Sequence, residues 1–220
     1  MTDFTESRTN MVKSQVRTSE VTDRRILNAL LNMPRERFVP ASRRALAYVD
    51  EDIRLNDEGD SRWLIEPMHF ARLVQLAEIG PGDLVLDVGC GTGYSSAILG
   101  RLADAVVGLE SDHALAQTAE ALTIELGIDN VAIFEGELRE GYPTQGPYDV
   151  IVLEGAVEEI PQALFAQLRN GGRLVAPVIE GPVGKAMLYR SIDGDVSRRV
   201  VYDMNVHPLP GFERPKSFVF

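Results

Sequence analysis

The segment Leu84–Tyr94, LVLDVGCGTGY, constrains the fold more than any other part of this sequence. Its first five residues are apolar apart from one aspartate, which is typical of a short strand buried inside a sheet. Three glycines follow at every second position and lead into the helical pattern YSSAILGRL. A strand, a glycine-rich turn and a helix in this order indicate one βα unit of an open α/β sheet.

The alternation of short apolar strands with helices continues along the chain. The predicted strands after the first are AVVGLE, VAIFEG, YDVIVLEGA and GGRLVAPVI, and the predicted helices between them are HALAQTAEALTIEL and PQALFAQL. KAMLYRSI and VSRRVVYDMNV then flank Asp193-Gly194, a pair typical of a β-hairpin turn. We therefore predict an α/β fold with a Rossmann-like, doubly wound, mostly parallel sheet of about seven strands and an antiparallel C-terminal hairpin.

The part of the chain before this alternation is predicted to be a helical extension. Val21–Met33 places apolar residues at helical spacing, and PASRRALAY predicts a second short helix. The polar stretch Asp50–Arg62 predicts a loop, and Pro67 suits the start of a helix to about Glu78, with Met68, Ala71, Val74 and Ala77 facing inward. We expect a single domain over residues 1–220, with a helical segment 1–78 and an α/β core 79–220.

Composition disfavours several classes of protein. The formal net charge is -11, which disfavours binding to the phosphate backbone of nucleic acids. The sequence contains no run of about 18 apolar residues, so no membrane span is predicted. The polar start MTDFTESRTN and the single cysteine, Cys90, predict a cytosolic protein. No cluster of His, Cys or Asp has metal-ligand spacing, so no metal site is predicted.

The glycine segment also carries the first chemical prediction. Asp87, Gly89, Gly91 and Gly93 form a G-x-G-x-G pattern, whose glycines let the backbone approach a ligand. Glu110 closes the next predicted strand, where an acid can accept hydrogen bonds from two ribose hydroxyls. A ligand-free βα turn and a dinucleotide site are the alternatives, and the glycine spacing differs from the G-x-G-x-x-G of the second.

LDVGCGTGY resembles motif I of the class I S-adenosylmethionine-dependent methyltransferases. The resemblance implies S-adenosylmethionine as cofactor, with Asp87 near its methionine amino end and Gly89–Gly93 packed against it. It further implies that Glu110 holds the ribose and that Glu137, which follows the third predicted strand, contacts the adenine. Asp149 matches the acid that opens motif II of those enzymes.

The flanking segments resemble one family within that class, the protein-L-isoaspartate O-methyltransferases. The similar blocks are MVKSQVR, MPRERFVP, PYDVIVLEGAVEEIPQALFAQLRNGGRLVAPV and VHPLPGF, so the resemblance runs from about Met11 to Phe212. It implies that the chain methylates the carboxylate of isoaspartyl residues in damaged proteins, and that its partner is a protein or peptide substrate.

One segment departs from the family pattern. The family reads G-x-Q-T-I-S-x-P before the helix that Pro67 starts, and its Thr and Ser hydroxyls help to hold the substrate carboxylate. Alignment on Pro67 puts Arg62 at the Gln, Trp63 at the Thr and Ile65 at the Ser. These three residues are therefore the candidates for the acceptor loop, and no catalytic residue is assigned. Glu154 adds a negative charge where the family has a small residue.

These departures leave several roles open. Arg62 is either a bidentate carboxylate donor in place of the hydroxyls or a solvated loop arginine. Trp63 is either a lid over the cofactor or a core anchor. For the whole chain, the alternatives to isoaspartyl methylation are another acceptor on the same scaffold or a cofactor-binding paralogue without that activity. Among the histidines, His69 is either a helix-surface or satisfied residue, with Glu66 and Arg72 as neighbours at helical spacing, or a catalytic base, and His113 and His207 are isolated.

Overall fold

A computed structural model describes residues 3–214 of the 220-residue chain. Six α-helices are present in that part: α1 Thr5–Met11, α2 Arg24–Asn32, α3 Pro67–Leu76, α4 Tyr94–Leu99, α5 His113–Glu125 and α6 Gln162–Phe165. The strands are β1 Ile53–Arg54, β2 Trp63–Leu64, β3 Leu84–Val88, β4 Ala105–Glu110, β5 Val131–Glu135, β6 Tyr148–Leu153, β7 Leu168–Glu180, β8 Val183–Ile192 and β9 Asp195–Asp203.

Strands β3 to β9 form one seven-stranded sheet in the order β5-β4-β3-β6-β7-β8-β9. The pairs from β5 to β7 are parallel, and β8 and β9 add in antiparallel fashion, which confirms the predicted fold class. The chain moves outward from β3 in one direction through β4 and β5, and returns to the other side of β3 with β6. Ligands of open α/β sheets bind at such a switch point, beyond the carboxyl ends of the strands.

The sheet is covered on both faces because its central strands are apolar on both sides. Val85 and Val150 point into a core formed with the N-terminal helices and α4, whereas their neighbours Leu86 and Ile151 point into a second core. The C-terminal segment contributes Leu209 to that second core. The side chains of consecutive strand residues therefore alternate between two buried layers, and the N-terminal segment is packed against one of them.

The N-terminal segment matches the predicted pattern in part. Helix α2 begins after Asp23, whose carboxylate accepts a hydrogen bond from the backbone N–H of Arg25. The segment PASRRALAY forms a 3-10 helix over Ala41–Leu46 rather than an α-helix. The predicted loop Asp50–Arg62 contains β1, which pairs antiparallel with β2 to form a short hairpin. Two residue pairs are too few to produce a readable alternation, so the sequence did not indicate this hairpin.

Helix α3 starts at Pro67 as predicted, but its inner face is shifted. Ala71, Val74 and Ala77 are buried, whereas Met68 is only half-buried. Phe70 is buried instead and packs against Tyr94, with 5.7 Å between the ring centroids. Proline sets where the helix begins, but the packing partners decide which residues of the first turn face the core.

The remaining elements differ in length from the prediction. The segment PQALFAQL forms only the four-residue α6, and β7 begins directly after it and runs for 13 residues. The division of a single domain at residue 78 stays a prediction. None of the helices in residues 3–214 combines the length and the apolar character required to cross a bilayer.

Candidate functional site

The glycine loop between β3 and α4 lies at the switch point of the sheet. Gly93 has φ 89° and immediately precedes α4. A Cβ atom at Gly93 would lie 3.0 Å from the Cβ of Ala119 in α5, so two features require glycine at this position. The tight loop directs the start of α4 toward the crevice at the carboxyl ends of β3 and β6.

Asp87 lies near the end of β3 and is fully buried. Its Oδ2 accepts hydrogen bonds from the hydroxyls of Ser95 and Ser96 at 2.7 and 2.6 Å. Its other carboxylate oxygen, Oδ1, has no hydrogen-bond partner within residues 3–214. Burial raises the pKa of Asp87, which Arg62 counteracts by its charge. A buried carboxylate oxygen without a donor is suited to a cationic group of a ligand.

Glu110 ends β4 and is fully buried, and both of its carboxylate oxygens are engaged. Oε2 accepts from the backbone N–H of Gly91 at 2.7 Å, and Oε1 from those of Ser111 and Asp112 at 2.8 and 3.0 Å. Arg62 adds two further bonds, Nη2 to Oε2 at 2.7 Å and Nε to Oε1 at 3.1 Å. With a longer bond from the Ser111 hydroxyl at 3.4 Å, six donor groups share the roughly four lone-pair directions of the carboxylate, so none is left for a ribose hydroxyl in this conformation.

Arg62 is therefore not the solvated loop arginine that was one of its two alternatives. Only 3% of its surface is exposed, and it forms a bidentate ion pair with Glu110. The pair joins the β1–β2 hairpin to the end of β4 across 48 residues of sequence. A buried carboxylate attracts a guanidinium that can saturate both oxygens, and only tertiary structure brings the two together.

Three side chains fill the space in front of the glycine loop. A Cβ atom built at Gly89 would lie 2.7 Å from Cδ1 of Leu209 and 2.8 Å from Nη2 of Arg62, and one at Gly91 would lie 2.6 Å from Cδ1 of Leu55. Sequence reasoning missed Leu55 and Leu209 as site residues. Leu209 lies within the VHPLPGF block, so the family resemblance of that block was a usable signal.

An open cavity of about 340 Å³ begins on the other side of Arg62. Its wall includes Ser111, Asp112, Leu138 and the exposed Glu137. Of the predicted cofactor residues, Glu137 lines this cavity, whereas Asp87, the three glycines and Glu110 are buried at the carboxyl ends of β3 and β4. That each of them binds the cofactor stays a prediction.

Two further residues at this end of the sheet are buried and have raised pKa values. Glu154 follows β6 and is 6% exposed, and burial together with the nearby Asp87 raises its pKa well above the usual range. Burial likewise raises the pKa of the Cys90 thiol, which agrees with a packing role rather than a nucleophilic one. Asp149 lies at the opposite end of β6, where it accepts hydrogen bonds from Leu84 and Arg169.

The other two acceptor-loop candidates do not face the glycine loop. The Trp63 ring stacks on His207 with 3.6 Å between centroids and an interplanar angle of 12°. It is half-buried rather than in the core, and a role as a lid over the cofactor stays a prediction. The Ile65 side chain is buried in the core, and its carbonyl oxygen accepts a hydrogen bond from Nη2 of Arg35 at 2.8 Å. Ile65 therefore serves packing.

A second groove of about 510 Å³ lies beside Trp63, and three acids, Glu51, Asp52 and Glu66, line it on one side with the segment 205–208 on the other. Burial and the neighbouring carboxylates raise the pKa of Glu66 to about 7. The predicted contact of Glu66 with His69 is confirmed.

The expectation that His113 and His207 are isolated was wrong. Arg72, the other neighbour of His69 in α3, lies 3.8 Å from the centroid of the Tyr202 ring. His207 pairs with Asp52 at 2.8 Å and His113 with Glu135 at 2.6 Å, so neither is isolated. In the described part of the chain, no group of three or more His, Cys, Asp or Glu side chains is arranged to hold a metal ion.

The fold and site define the class of protein. The strand order, the glycine loop after the first parallel strand and the antiparallel final strands are those of a class I methyltransferase. A solved protein-L-isoaspartate O-methyltransferase superimposes with a TM-score of 0.81 and 27% identity, covering 93% of this chain and 66% of that one. A Plasmodium falciparum protein shares the fold, with a TM-score of 0.75 at 19% identity over 95% of this chain and 99% of that one. That protein is described as a candidate member of the same family and was solved with S-adenosyl-L-homocysteine.

The chain belongs to the protein-L-isoaspartate(D-aspartate) O-methyltransferase family, whose model matches residues 6–211. It is 36% identical to the Koribacter versatilis protein-L-isoaspartate O-methyltransferase over 96% of this chain and 94% of that one. It is 41% identical to Protein-L-isoaspartate O-methyltransferase 2 of an Anaeromyxobacter species over 82% of this chain and 72% of that one. The family uses S-adenosylmethionine, and the family resemblance predicted from sequence is confirmed.

The types of residue in the crevice suit the chemical groups of S-adenosylmethionine. The glycine loop offers a close backbone approach, Asp87 has a free buried oxygen, and Glu110 stands at the end of the neighbouring strand. The fit fails in one respect, because Arg62 saturates Glu110 and fills the volume at Gly89. The donor set therefore suits the cofactor, whereas the position of Arg62 does not.

Proposed function

We propose that this chain transfers a methyl group from S-adenosylmethionine to the side-chain carboxylate of isoaspartyl residues in proteins or peptides. The observation that carries the proposal is the family match, which spans the cofactor crevice and the acceptor-side segment together. The glycine loop at the switch point and the free oxygen of Asp87 support the cofactor half.

The proposed reaction requires no strong general acid or base from the chain. S-adenosylmethionine supplies an electrophilic methyl group. An oxygen of the acceptor carboxylate forms the new bond to carbon, and the electron pair of the broken C–S bond stays on sulfur, giving a methyl ester and a thioether. An ionised carboxylate is already nucleophilic, so the residues of the crevice contribute alignment and exclusion of water.

The test is transfer of isotopically labelled methyl groups to an isoaspartyl peptide, with the matched aspartyl peptide as control. The proposal expects label in the isoaspartyl peptide alone, released by mild base because the product is an ester. Binding of S-adenosyl-L-homocysteine in calorimetry without any transfer to the isoaspartyl peptide would refute this acceptor and leave the cofactor half standing.

A different acceptor on the same scaffold is the second candidate, favoured by the groove beside Trp63. Glu51, Asp52 and Glu66 line this groove, and the buried Ile65 stands where the family has a hydroxyl. Several acids repel an incoming carboxylate and favour a neutral or cationic group. Labelled methyl groups that resist base treatment would support this candidate, because only carboxyl esters are released under those conditions.

Three expectations about partners and place stay predictions. The substrate is a protein or peptide, no nucleic acid or membrane takes part, and the chain works in the cytosol. The net charge of -11 and the single buried cysteine support them.

A further inference from the structure

We propose that Arg62 competes with the cofactor for Glu110, so that the Arg62–Glu110 ion pair and cofactor binding exclude each other. Binding then requires the β1–β2 hairpin, residues 53–64, to carry Arg62 out of the crevice. This inference rests on the proposed function only in assuming that the chain binds S-adenosylmethionine.

The hydrogen bonds of Glu110 show which donor can leave. The backbone N–H groups of Gly91, Ser111 and Asp112 belong to the glycine loop and to the start of α5, so the fold itself holds them in place. The Ser111 hydroxyl donates from the same segment at 3.4 Å, whereas Arg62 comes from a separate hairpin. A ribose diol can bond to this carboxylate only in the directions that the guanidinium now uses.

The space in the crevice also indicates that Arg62 and the cofactor exclude each other. Nη2 of Arg62 lies 2.8 Å from the point where a Cβ of Gly89 would stand, which places the guanidinium directly against the glycine. Glycines in such loops allow a ligand to pack against the backbone. A ligand seated on Gly89 and the Arg62 side chain therefore require the same space.

The charges explain why Arg62 lies there. Asp87, Glu110 and Glu154 are buried together at this end of the sheet, and the positive charge of Arg62 opposes the rise that burial causes in the pKa of both Asp87 and Glu154. Buried carboxylates without a cation are costly. The sulfonium and ammonium groups of S-adenosylmethionine are cations that can take over this role when Arg62 leaves.

The surroundings of the hairpin allow it to move. A cavity of about 520 Å³ lies against Leu55, Asn56, Asp57 and Glu58, which gives the hairpin room to shift. Its pairing consists of two residue pairs. Ile53, Leu55 and Leu64 are buried in the core and hold the base of the hairpin. The exposed tip, residues 57–60, is tied to the rest of the chain by Nη2 of Arg43 to Asp57 at 2.6 Å, and Nδ2 of the adjacent Asn56 donates to Asp112 at 3.2 Å, so the tip, which leads into Arg62, is the part with freedom to move.

The first experiment is calorimetry with S-adenosyl-L-homocysteine on the natural chain, Arg62→Met and the control Arg43→Met. Arg62→Met removes the competitor, and Arg43→Met loosens the same hairpin without freeing Glu110. The inference expects at least tenfold tighter binding by Arg62→Met and a much smaller gain by Arg43→Met. Equal or weaker binding by Arg62→Met than by the natural chain overturns the inference, and so does an equal gain in the control.

The outcomes separate this inference from the proposed function. If neither the natural chain nor Arg62→Met binds at millimolar ligand, both fail. If the natural chain binds and Arg62→Met brings no gain, the inference alone fails. Arg62→Lys keeps the positive charge without the bidentate geometry, so intermediate affinity is expected from it if Arg62→Met does not fold.

A second experiment needs no substitution. Trp63 is the single tryptophan, adjoins Arg62 in the hairpin and stacks on His207, so its fluorescence reports movement of the hairpin. Adenosine should change the Trp63 emission of the natural chain, whereas 2′,3′-dideoxyadenosine, which lacks the ribose diol, should not. Emission that stays unchanged at saturating S-adenosyl-L-homocysteine would overturn the inference.

Discussion

Glu66 shows how a single residue can make stability depend on pH. It precedes α3 near Asp50, Glu51 and Asp52, and burial with these charges raises its pKa to about 7. It contacts His69, whose pKa is lowered by burial. Below about pH 7 the carboxyl group of Glu66 is therefore mainly neutral.

The substitution Glu66→Gln should stabilise the fold at high pH. The unfolded chain loses the Glu66 proton near pH 4.5 and the folded chain only near pH 7, so ionisation favours the unfolded chain across that window. The stability of Glu66→Gln relative to the natural chain should therefore rise from pH 4.5 to 7 and then level off. We expect a gain of about 1 kcal/mol, because solvent screens this partly exposed group.

Urea unfolding at several pH values measures this effect. Glu58→Gln, at an exposed position of the β1–β2 hairpin, is the control for removing one negative charge from this region. If Glu66→Gln and Glu58→Gln show the same pH dependence, the local environment of Glu66 is not its cause.

Asp87 gives a prediction about cofactor affinity. Its free Oδ1 lies next to the glycine loop, so Asp87→Asn should weaken binding of S-adenosylmethionine about tenfold or more by removing a charge-assisted bond. Asp149→Asn is the matched control, because Asp149 lies near the start of the neighbouring strand β6, away from the glycine loop. It should leave the calorimetric dissociation constant unchanged. Equal losses in both variants would contradict a direct role for Asp87.

At the scale of elements, the packing of the glycine loop on α5 can be separated from its backbone conformation. Gly93 and Gly127 both have positive φ, 89° and 62°. A Cβ at Gly93 would lie 3.0 and 3.3 Å from the Cβ and Cα of Ala119, whereas one at Gly127 would meet nothing within 4 Å. Gly127→Ala should cost about 1 kcal/mol from conformation alone, and Gly93→Ala at least about 1 kcal/mol more from overpacking.

Chemical denaturation of the two glycine variants tests this difference. Equal losses of unfolding free energy would mean that α5 yields to the added methyl group without cost. A loss in neither variant would contradict the conformational argument as well.

At the scale of the whole molecule, Arg35 ties the N-terminal segment to the core. It is fully buried, donates to the carbonyl oxygens of Ala47 and Ile65 at 2.8 Å each, and lies 4.8 Å from the centroid of the Tyr94 ring. Arg35→Met should destabilise the fold by about 3 kcal/mol, because two buried carbonyl oxygens lose charged donors.

The neighbouring Arg37 provides the control for this prediction. Arg37 forms an exposed pair with Glu125, so Arg37→Met should change stability by less than about 1 kcal/mol. Similar losses for Arg35→Met and Arg37→Met in urea unfolding would show that the buried bonds of Arg35 contribute little.

Much of the fold could be predicted because its signals are local. The apolar run of β3, the glycines after it and the helix that follows are adjacent in sequence, and each acts on the backbone within a few residues. The hairpin turn at Asp193-Gly194 is local in the same way, and β8 and β9 flank it as predicted. The β1–β2 hairpin escaped prediction because two-residue strands carry no periodicity.

The sequence by itself determined the class of fold, the position of the crevice and the family, since these depend on short motifs and on the order of elements. Only the tertiary structure decided what lies in the crevice. Arg62 and Glu110 are 48 residues apart, and Leu209 is more than one hundred residues from the glycine loop. Their contacts depend on burial and charge balance among distant segments, which no local pattern of residues can encode.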